Sequence, residues 1–166
     1  RNANPCGHCA EPLPPGAPAG SLCARCLRSP PAFDRCRAPY LYAPPADWLI
    51  GRLKFRGHLA HGRVLGALLA DHVADLTAPR PELIVPMPLH RARLRERGFN
   101  QAVELARPLA RRLAIPLASD LVERVRPGQP QSSLHKSRRH ANVRGAFALR
   151  RPLEAGHVAV VDDVLT

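Results

Sequence analysis

Two pairs of cysteines near the start of the chain constrain its folding more than any other feature. Cys6-Gly-His-Cys9 and Cys23-Ala-Arg-Cys26 are CxxC knuckles with thirteen residues between them. Each knuckle can place two thiolates on one ion, and four thiolates complete a closed tetrahedral shell around zinc. Four unrelated reduced cysteines, or a redox pair, are less favoured because the stretch is proline-rich and has no core of its own. The sequence therefore predicts a zinc-ribbon module over residues 1–37, with a structural zinc held by Cys6, Cys9, Cys23 and Cys26.

His8 and Cys36 are two further potential ligands, and both lie outside the paired spacing. We interpret His8 as a knuckle-loop residue and Cys36 as a free, buried thiol. Cysteines that are spaced for a metal rather than for disulfides fit a reducing compartment. The sequence has no segment typical of a signal peptide and no apolar run near the ~20 residues that span a bilayer. It therefore predicts a cytoplasmic protein without membrane insertion.

Residues 38–166 alternate between strand-like and helix-like patterns. Strands are predicted over residues 38–42, 82–85, 121–125, 146–149 and 157–161, and helices over 46–55, 59–76, 100–113 and 136–142. The second helix has its apolar residues at Val64, Leu65, Leu68, Leu69 and Val73. Strands alternating with helices favour an α/β fold with a mostly parallel sheet and helices on its faces.

The chain carries a large excess of positive charge. Twenty-five Lys and Arg against thirteen Asp and Glu give a net charge of +12. Such a surface attracts phosphates, either of a nucleotide or of a nucleic-acid backbone. Aromatic residues, which would stack on bases, make up only 4% of the chain. The candidate DNA contacts are Arg93, Arg95, Arg97, Arg138 and Arg139, although a solvated basic surface is the simpler interpretation of any single arginine.

Two adjacent carboxylates, Asp162 and Asp163, follow the last predicted strand. The carboxyl edge of a parallel sheet is where open α/β folds bind ligands. Paired acids there can accept hydrogen bonds from vicinal ribose hydroxyls or lie near a magnesium ion. Taken alone the pattern is weak, because many strands end in Asp.

A basic segment follows the predicted strand 82–85. Pro86 and Pro88 stiffen the loop, four arginines occur within residues 91–97, and Gly98-Phe99-Asn100 begins the next helix. Guanidinium groups beside a helix N-terminus suit an anion such as pyrophosphate.

These segments together resemble the ComF competence family in order and spacing. The matching strings are LKFRG at 53–57, PMPLHRARLRERGFNQA at 86–102, QSSLHKSRRHANVRGAF at 131–147 and VAVVDDVLT at 158–166. Within the third string, the residues on the family's pattern are Gln131, Leu134, Arg139, Asn142 and Phe147. The four-cysteine ribbon is also typical of the family, so the resemblance covers nearly the whole chain.

The resemblance implies a type I phosphoribosyltransferase-like fold over residues 38–166. It implies roles in natural transformation, in handling single-stranded DNA after uptake and in using DNA as a nutrient. The implied partners are phosphoribosyl pyrophosphate (PRPP), single-stranded DNA, and a competence helicase or another DNA-uptake protein. Magnesium is expected to accompany PRPP.

Individual site residues are also implied by the resemblance. Asp162 and Asp163 match the acidic pair that contacts the ribose of PRPP, and Thr166 matches the first threonine of the 5′-phosphate loop. The pyrophosphate-loop candidates are Pro88, His90, Arg91, Arg93 and Arg97. The family's motif continues beyond Thr166, so we expect the chain to be C-terminally incomplete and to bind PRPP weakly by itself.

Three functions remain open from the sequence. The first is an active phosphoribosyltransferase of nucleotide salvage, in which pyrophosphate leaves the ribose C1′. The second, which we favour, is a DNA-uptake protein with a PRPP-type site. The third is a structural adaptor that binds a protein partner through the zinc ribbon and the basic face. No catalytic residue is assigned. Lys54 and His90 are the only polar residues in the motifs that could approach an acceptor base, and a structural role fits each at least as well.

Overall fold

A computed structural model describes residues 1–74, 79–127 and 143–165. The chain forms two compact units, Arg1–Trp48 and Leu49–Val164. In chain order the elements are α1 (Ala24–Arg28), α2 (Ala46–Arg56), α3 (Leu59–Ala74), β1 (Leu83–Pro86), α4 (Arg91–Arg97), α5 (Gln101–Leu113), β2 (Val122–Arg124), β3 (Phe147–Leu149) and β4 (Val158–Val161). The predicted helix 136–142 and the candidate residues Arg138, Arg139 and Thr166 lie outside the described residues, as do Gln131, Leu134 and Asn142.

The first unit is organised around its cysteines. Cys6, Cys9 and Cys26 are buried and pack with Leu13 and Cys23 into a small cluster. Gly7 approaches the next knuckle so closely that a Cβ at this position would lie 2.6 Å from the backbone oxygen of Gly20. Only glycine fits there, because a side chain would collide with the backbone of the facing loop.

The strand predicted over residues 38–42 is wrong. This segment pairs with no strand in the described part of the chain, and it is held instead by Asn2. The Asn2 backbone N–H donates to Pro39 O at 2.8 Å, and its side-chain amide donates to Ala38 O at 3.3 Å. Pro39 has no N–H to donate to a ladder, which explains why an apolar pattern here does not produce a strand.

The second unit contains a small parallel sheet and a separate antiparallel ribbon. β1 and β4 run parallel, with Leu83 opposite Val158 and Pro86 opposite Val161. β2 and β3 pair antiparallel. The expected parallel sheet is therefore correct for β1 and β4 and wrong for the other two strands. Cross-strand contacts stabilise the ribbon: the Arg124 guanidinium lies 5.7 Å from the centre of the Phe147 ring.

α3 and α5 pack closely against each other through two glycines of α3, and α5 also contacts both strands of the parallel sheet. A Cβ on Gly66 would lie 2.5 Å from Leu105 O, and one on Gly62 would lie 3.0 Å from the Cβ of Glu104. The buried face of α3 is Gly62, Leu65, Gly66 and Ala70. Val64 and Leu68, two of the five apolar residues noted in this helix, are exposed. The glycines form the contact because small residues let two helix backbones approach.

Within the described ranges, no helix combines the length and the apolar composition needed to cross a membrane.

Candidate metal centre and candidate ligand site

The structure brings the four knuckle cysteines together. Their sulfur atoms all lie within 4.8 Å of one another, and the Sγ atoms of Cys9 and Cys23 are 3.6 Å apart. A tetrahedral zinc with Zn–S bonds of ~2.3 Å requires sulfurs about 3.8 Å apart, so the cluster fits this ion. Three of the four cysteines are buried. The four residues could therefore hold one metal ion in a closed site.

The pKa values of the clustered cysteine thiols also fit a site that binds a cation. Burial raises the pKa of the Cys6 thiol, but hydrogen bonds from backbone N–H groups, including that of Cys23 at 3.2 Å, outweigh it and lower the pKa to about 6. Burial, followed by hydrogen bonds with the other cysteines, raises the pKa of Cys26 to about 12. Four crowded sulfurs cannot all be thiolates without a compensating positive charge. A divalent cation supplies that charge and ionises the coordinating thiols.

His8 and Cys36 lie outside the cluster. The His8 Nε2 atom contacts the backbone oxygen of Phe33, and the two rings meet edge to face with centroids 5.5 Å apart. Cys36 is half-buried rather than fully buried, and burial raises the pKa of its thiol. Its backbone N–H donates to His8 O at 2.7 Å, which ties the two residues into the loop beside the cluster.

The acidic pair lies at the carboxyl edge of the parallel sheet. β4 ends at Val161, and the Met87 N–H that follows β1 donates to Val161 O at 2.8 Å. The Asp163 N–H in turn donates to Asp162 Oδ1 at 2.8 Å. Asp162 is an exposed residue. Although the residue as a whole is exposed, protein atoms surround its carboxyl group, and this desolvation, followed by the negative charge of Asp163, raises the pKa of Asp162 to about 7.

Asp163 has a different environment from Asp162. Its side chain is only 4% exposed and forms an ion pair with Lys54 through Oδ2. Its Oδ1 accepts a hydrogen bond from Gln101 Nε2 at 3.2 Å. Gln101, which is 6% exposed, also accepts a hydrogen bond from Arg97. No role for Gln101 was predicted from the sequence, although this residue lies in the GFNQA string, and no partner was predicted for Lys54.

The basic segment between β1 and α5 is held at both ends. His90 caps α4, because its Nδ1 accepts a hydrogen bond from the Ala92 N–H at 3.3 Å. Asn100 caps α5 by accepting from the Ala102 N–H at 3.0 Å. The Asn100 side chain also donates to Met87 O at 3.0 Å, so the start of α5 is tied to the loop after β1. Pro88 lies in that loop.

The arginines of this segment differ in their partners. Arg91 lies 3.5 Å from a Glu123 carboxylate oxygen, and Arg93 donates to both carboxylate oxygens of Glu96 at 2.7 Å. Burial, followed by the positive charge of Arg93, lowers the pKa of Arg97. Arg95 is exposed and forms no ion pair with any described residue. Two of the four arginines, Arg91 and Arg93, therefore form ion pairs with carboxylates, and both pairs are exposed to solvent.

Known proteins similar to this chain carry two names. "DNA utilization protein YhgH" of Salmonella typhi is 37% identical over 158 residues, which cover 91% of this chain and 70% of that relative. "Competence protein F" of Haemophilus influenzae is 35% identical over 168 residues, which cover 97% of this chain and 72% of that relative. The YhgH protein of Escherichia coli K12 is 38% identical over 148 residues, covering 87% of this chain and 65% of its own length.

Comparison with models of protein families gave no match to the chain. No solved structure is similar to it at a significant level.

Proposed function

The chain belongs to the ComF family of competence and DNA utilization proteins, and on that premise we propose that it handles incoming single-stranded DNA or its nucleotides through a PRPP site. The observation that carries this proposal is the acidic pair, Asp162 and Asp163, at the carboxyl edge of the β1–β4 sheet. A parallel sheet edge followed by two acids is where a type I phosphoribosyltransferase-like domain would hold a ribose. This work would take place in the cytoplasm.

The proposed site residues would supply what a phosphorylated ribose needs. The exposed Asp162 can accept a hydrogen bond from a ribose hydroxyl. The segment from Pro88 to Arg97 starts next to the same edge, because the Met87 N–H is bonded to the end of β4. Its guanidinium groups would hold the pyrophosphate, and Thr166 would contact the 5′-phosphate. Magnesium, when bound with PRPP, would neutralise part of the charge of the pyrophosphate.

The two residues that could face an acceptor base, His90 and Lys54, already have partners, which favours binding over catalysis. His90 Nδ1 is engaged as the cap of α4, and the Lys54 ammonium group is engaged by Asp163. The Lys54 ammonium group and this ring nitrogen of His90 are therefore already occupied, which disfavours either of them as the group that moves a proton at an acceptor base. An active transferase is therefore the second candidate, and it would rely on positioning and on charge stabilisation of the leaving pyrophosphate.

We also propose that the cysteine cluster holds a structural zinc. A closed site of four sulfurs leaves no open position for a substrate, so the metal would stabilise the first unit without taking part in chemistry. The alternative is a structural adaptor, in which the zinc ribbon and the basic face bind a helicase or another DNA-uptake protein. The excess of arginine favours single-stranded DNA as a ligand of the basic face.

Isothermal titration of the full-length protein with PRPP and magnesium tests the central claim. We expect saturable binding that is lost when Asp162 and Asp163 are both changed to Asn. The exposed Asp162 should contribute little to folding, whereas Asp163 is buried and paired with Lys54, so thermal melting of the double variant serves as the control. Binding that is unchanged in a folded double variant would refute the assignment of the ribose site.

A further inference from the structure

The two acidic residues at the sheet edge are not equivalent. Asp163 has one carboxylate oxygen paired with Lys54 and the other bonded to Gln101 Nε2 at 3.2 Å. Asp162 is an exposed residue, and its carboxyl group contacts its neighbour Asp163, whose backbone N–H donates to Asp162 Oδ1 at 2.8 Å. We infer that Asp163 is a fixed anchor, that Asp162 is the carboxylate offered to the ribose, and that Lys54 is a positioning residue that acts on the site through Asp163. This inference rests on the proposed PRPP site and deepens it.

The anchor is connected to the basic segment by a chain of polar contacts. Lys54, in α2, contacts Asp163 after β4, and Asp163 contacts Gln101 at the first position of α5. Gln101 accepts a hydrogen bond from Arg97, the last residue of α4. Both Gln101 and the Asp163 side chain are more than nine-tenths buried. Connected buried polar networks rigidify the side chains that they join, so these contacts position Asp163 relative to the basic segment.

Lys54 has an electrostatic task in this arrangement. PRPP carries several negative charges, and two adjacent ionised carboxylates would repel it. The ammonium group of Lys54 compensates Asp163, the carboxylate that is shielded from solvent, so that the ligand meets only one uncompensated acid. Removing Lys54 leaves a buried charge without a partner, which is far more costly than losing an exposed ion pair.

A different role for Lys54, direct contact with the phosphates of the ligand, predicts a different pattern of mutants. If Lys54 touches the ligand, its loss weakens binding whether residue 163 is charged or not. If it acts through Asp163, its loss has no further effect once Asp163 has been made neutral. Asn at position 163 is a suitable neutral replacement, because its side-chain oxygen can still accept from Gln101.

The test is a double-mutant cycle on the full-length protein, with PRPP and magnesium titrated calorimetrically into each variant. We expect Asp162→Asn to weaken binding at least about tenfold, the scale of one hydrogen bond to a charged group. Lys54→Met should weaken it about tenfold as well, and Lys54→Arg should restore most of that loss because the charge is kept. Asp163→Asn and the double variant Lys54→Met/Asp163→Asn should both lie within about threefold of the parent. The inference is overturned if Lys54→Met costs as much in the Asp163→Asn background as in the parent, or if Asp163→Asn loses as much affinity as Asp162→Asn.

Thermal melting of the same variants without ligand separates this inference from the proposed function. The double variant should melt above Lys54→Met, since it no longer contains the buried uncompensated carboxylate. If the parent does not bind PRPP, the proposed function fails, and the division of labour between the two acids fails with it. The melting cycle still decides whether Lys54 and Asp163 form a coupled pair: strictly additive melting shifts would refute the pair itself.

Discussion

Gly66 sets how closely α3 can approach α5, and replacing it with alanine should destabilise the second unit. The added Cβ would lie 2.5 Å from the backbone oxygen of Leu105 and 3.0 Å from Cγ of Pro108. Neither contact is with the end of a flexible side chain, so the helices themselves would have to move apart.

The size of the effect follows from two opposing contributions. Overpacking of a tight interface costs about 1–3 kcal/mol, and the rigid contacts at Gly66 place this site at the upper end. Alanine is favoured over glycine within a helix by about 1 kcal/mol. The difference leaves a loss of about 2 kcal/mol in the free energy of unfolding for Gly66→Ala.

Gly51 provides a matched control for this prediction. It lies within α2, and a Cβ there would meet no atom within 4 Å. Gly51→Ala should therefore raise the free energy of unfolding by up to about 1 kcal/mol, because only the helix preference acts. Urea denaturation of both variants, followed by circular dichroism, measures the two effects. If Gly66→Ala is as stable as Gly51→Ala, the close helix contact does not exist as described.

Three further predictions concern metal, pH and DNA. Protein purified without chelator should contain about one zinc per chain, and removing the zinc should unfold the first unit while leaving the second largely intact. Elemental analysis that finds no metal would contradict this prediction, and so would disulfides among the four cysteines. The pKa of Asp162 is raised to about 7 in the folded protein by desolvation and by Asp163, with Lys54 opposing. Between about pH 4, where the unfolded side chain ionises, and pH 7, the folded protein binds one more proton at Asp162 than the unfolded chain does. The free energy of unfolding should therefore fall as pH rises through this window. Thermal melting at a series of pH values should show that Asp162→Asn removes this part of the pH dependence. Single-stranded DNA should bind with a steep salt dependence, which fluorescence anisotropy measures. Arg95→Ala should reduce the slope of log affinity against log salt by about 0.7, and Arg93→Ala should reduce it less. Binding that does not depend on salt would show that the basic face is an ordinary solvated surface.

The features that were predictable from the sequence are those with local causes. The spacing of the cysteines led directly to the cluster, because each CxxC knuckle brings two sulfurs together without help from the rest of the chain. The place of Asp162 and Asp163 was also predictable, since acids directly after an apolar strand must lie at the end of that strand. The bounds of α5 and β4 differ from the expected ones by a single residue at one end.

The features that were missed depend on contacts between distant residues or on a short element. The helix α4 contains few apolar residues and shows no helical periodicity; it is defined by its caps, His90 and Gly98, the latter in a left-handed conformation. The pairing of β2 with β3 joins strands that the alternating pattern assigned to one parallel sheet. The pair of Lys54 and Asp163 joins residues far apart in sequence, and neither residue carries a local signal for the other.

The burial of each ion pair at the sheet edge determines which charges a ligand can use. Arg93 and Glu96 form an exposed pair, and such pairs contribute only about 0.2–1 kcal/mol, so an incoming phosphate can replace the carboxylate at little cost. The pair of Lys54 and Asp163 is shielded from solvent on its acidic side, and separating it would leave a buried charge. The net charge of the chain therefore does not indicate which charges are accessible to a ligand at the proposed site. At the proposed site, exchangeable arginines would meet the ligand, while the buried pair beside Asp162 would stay intact.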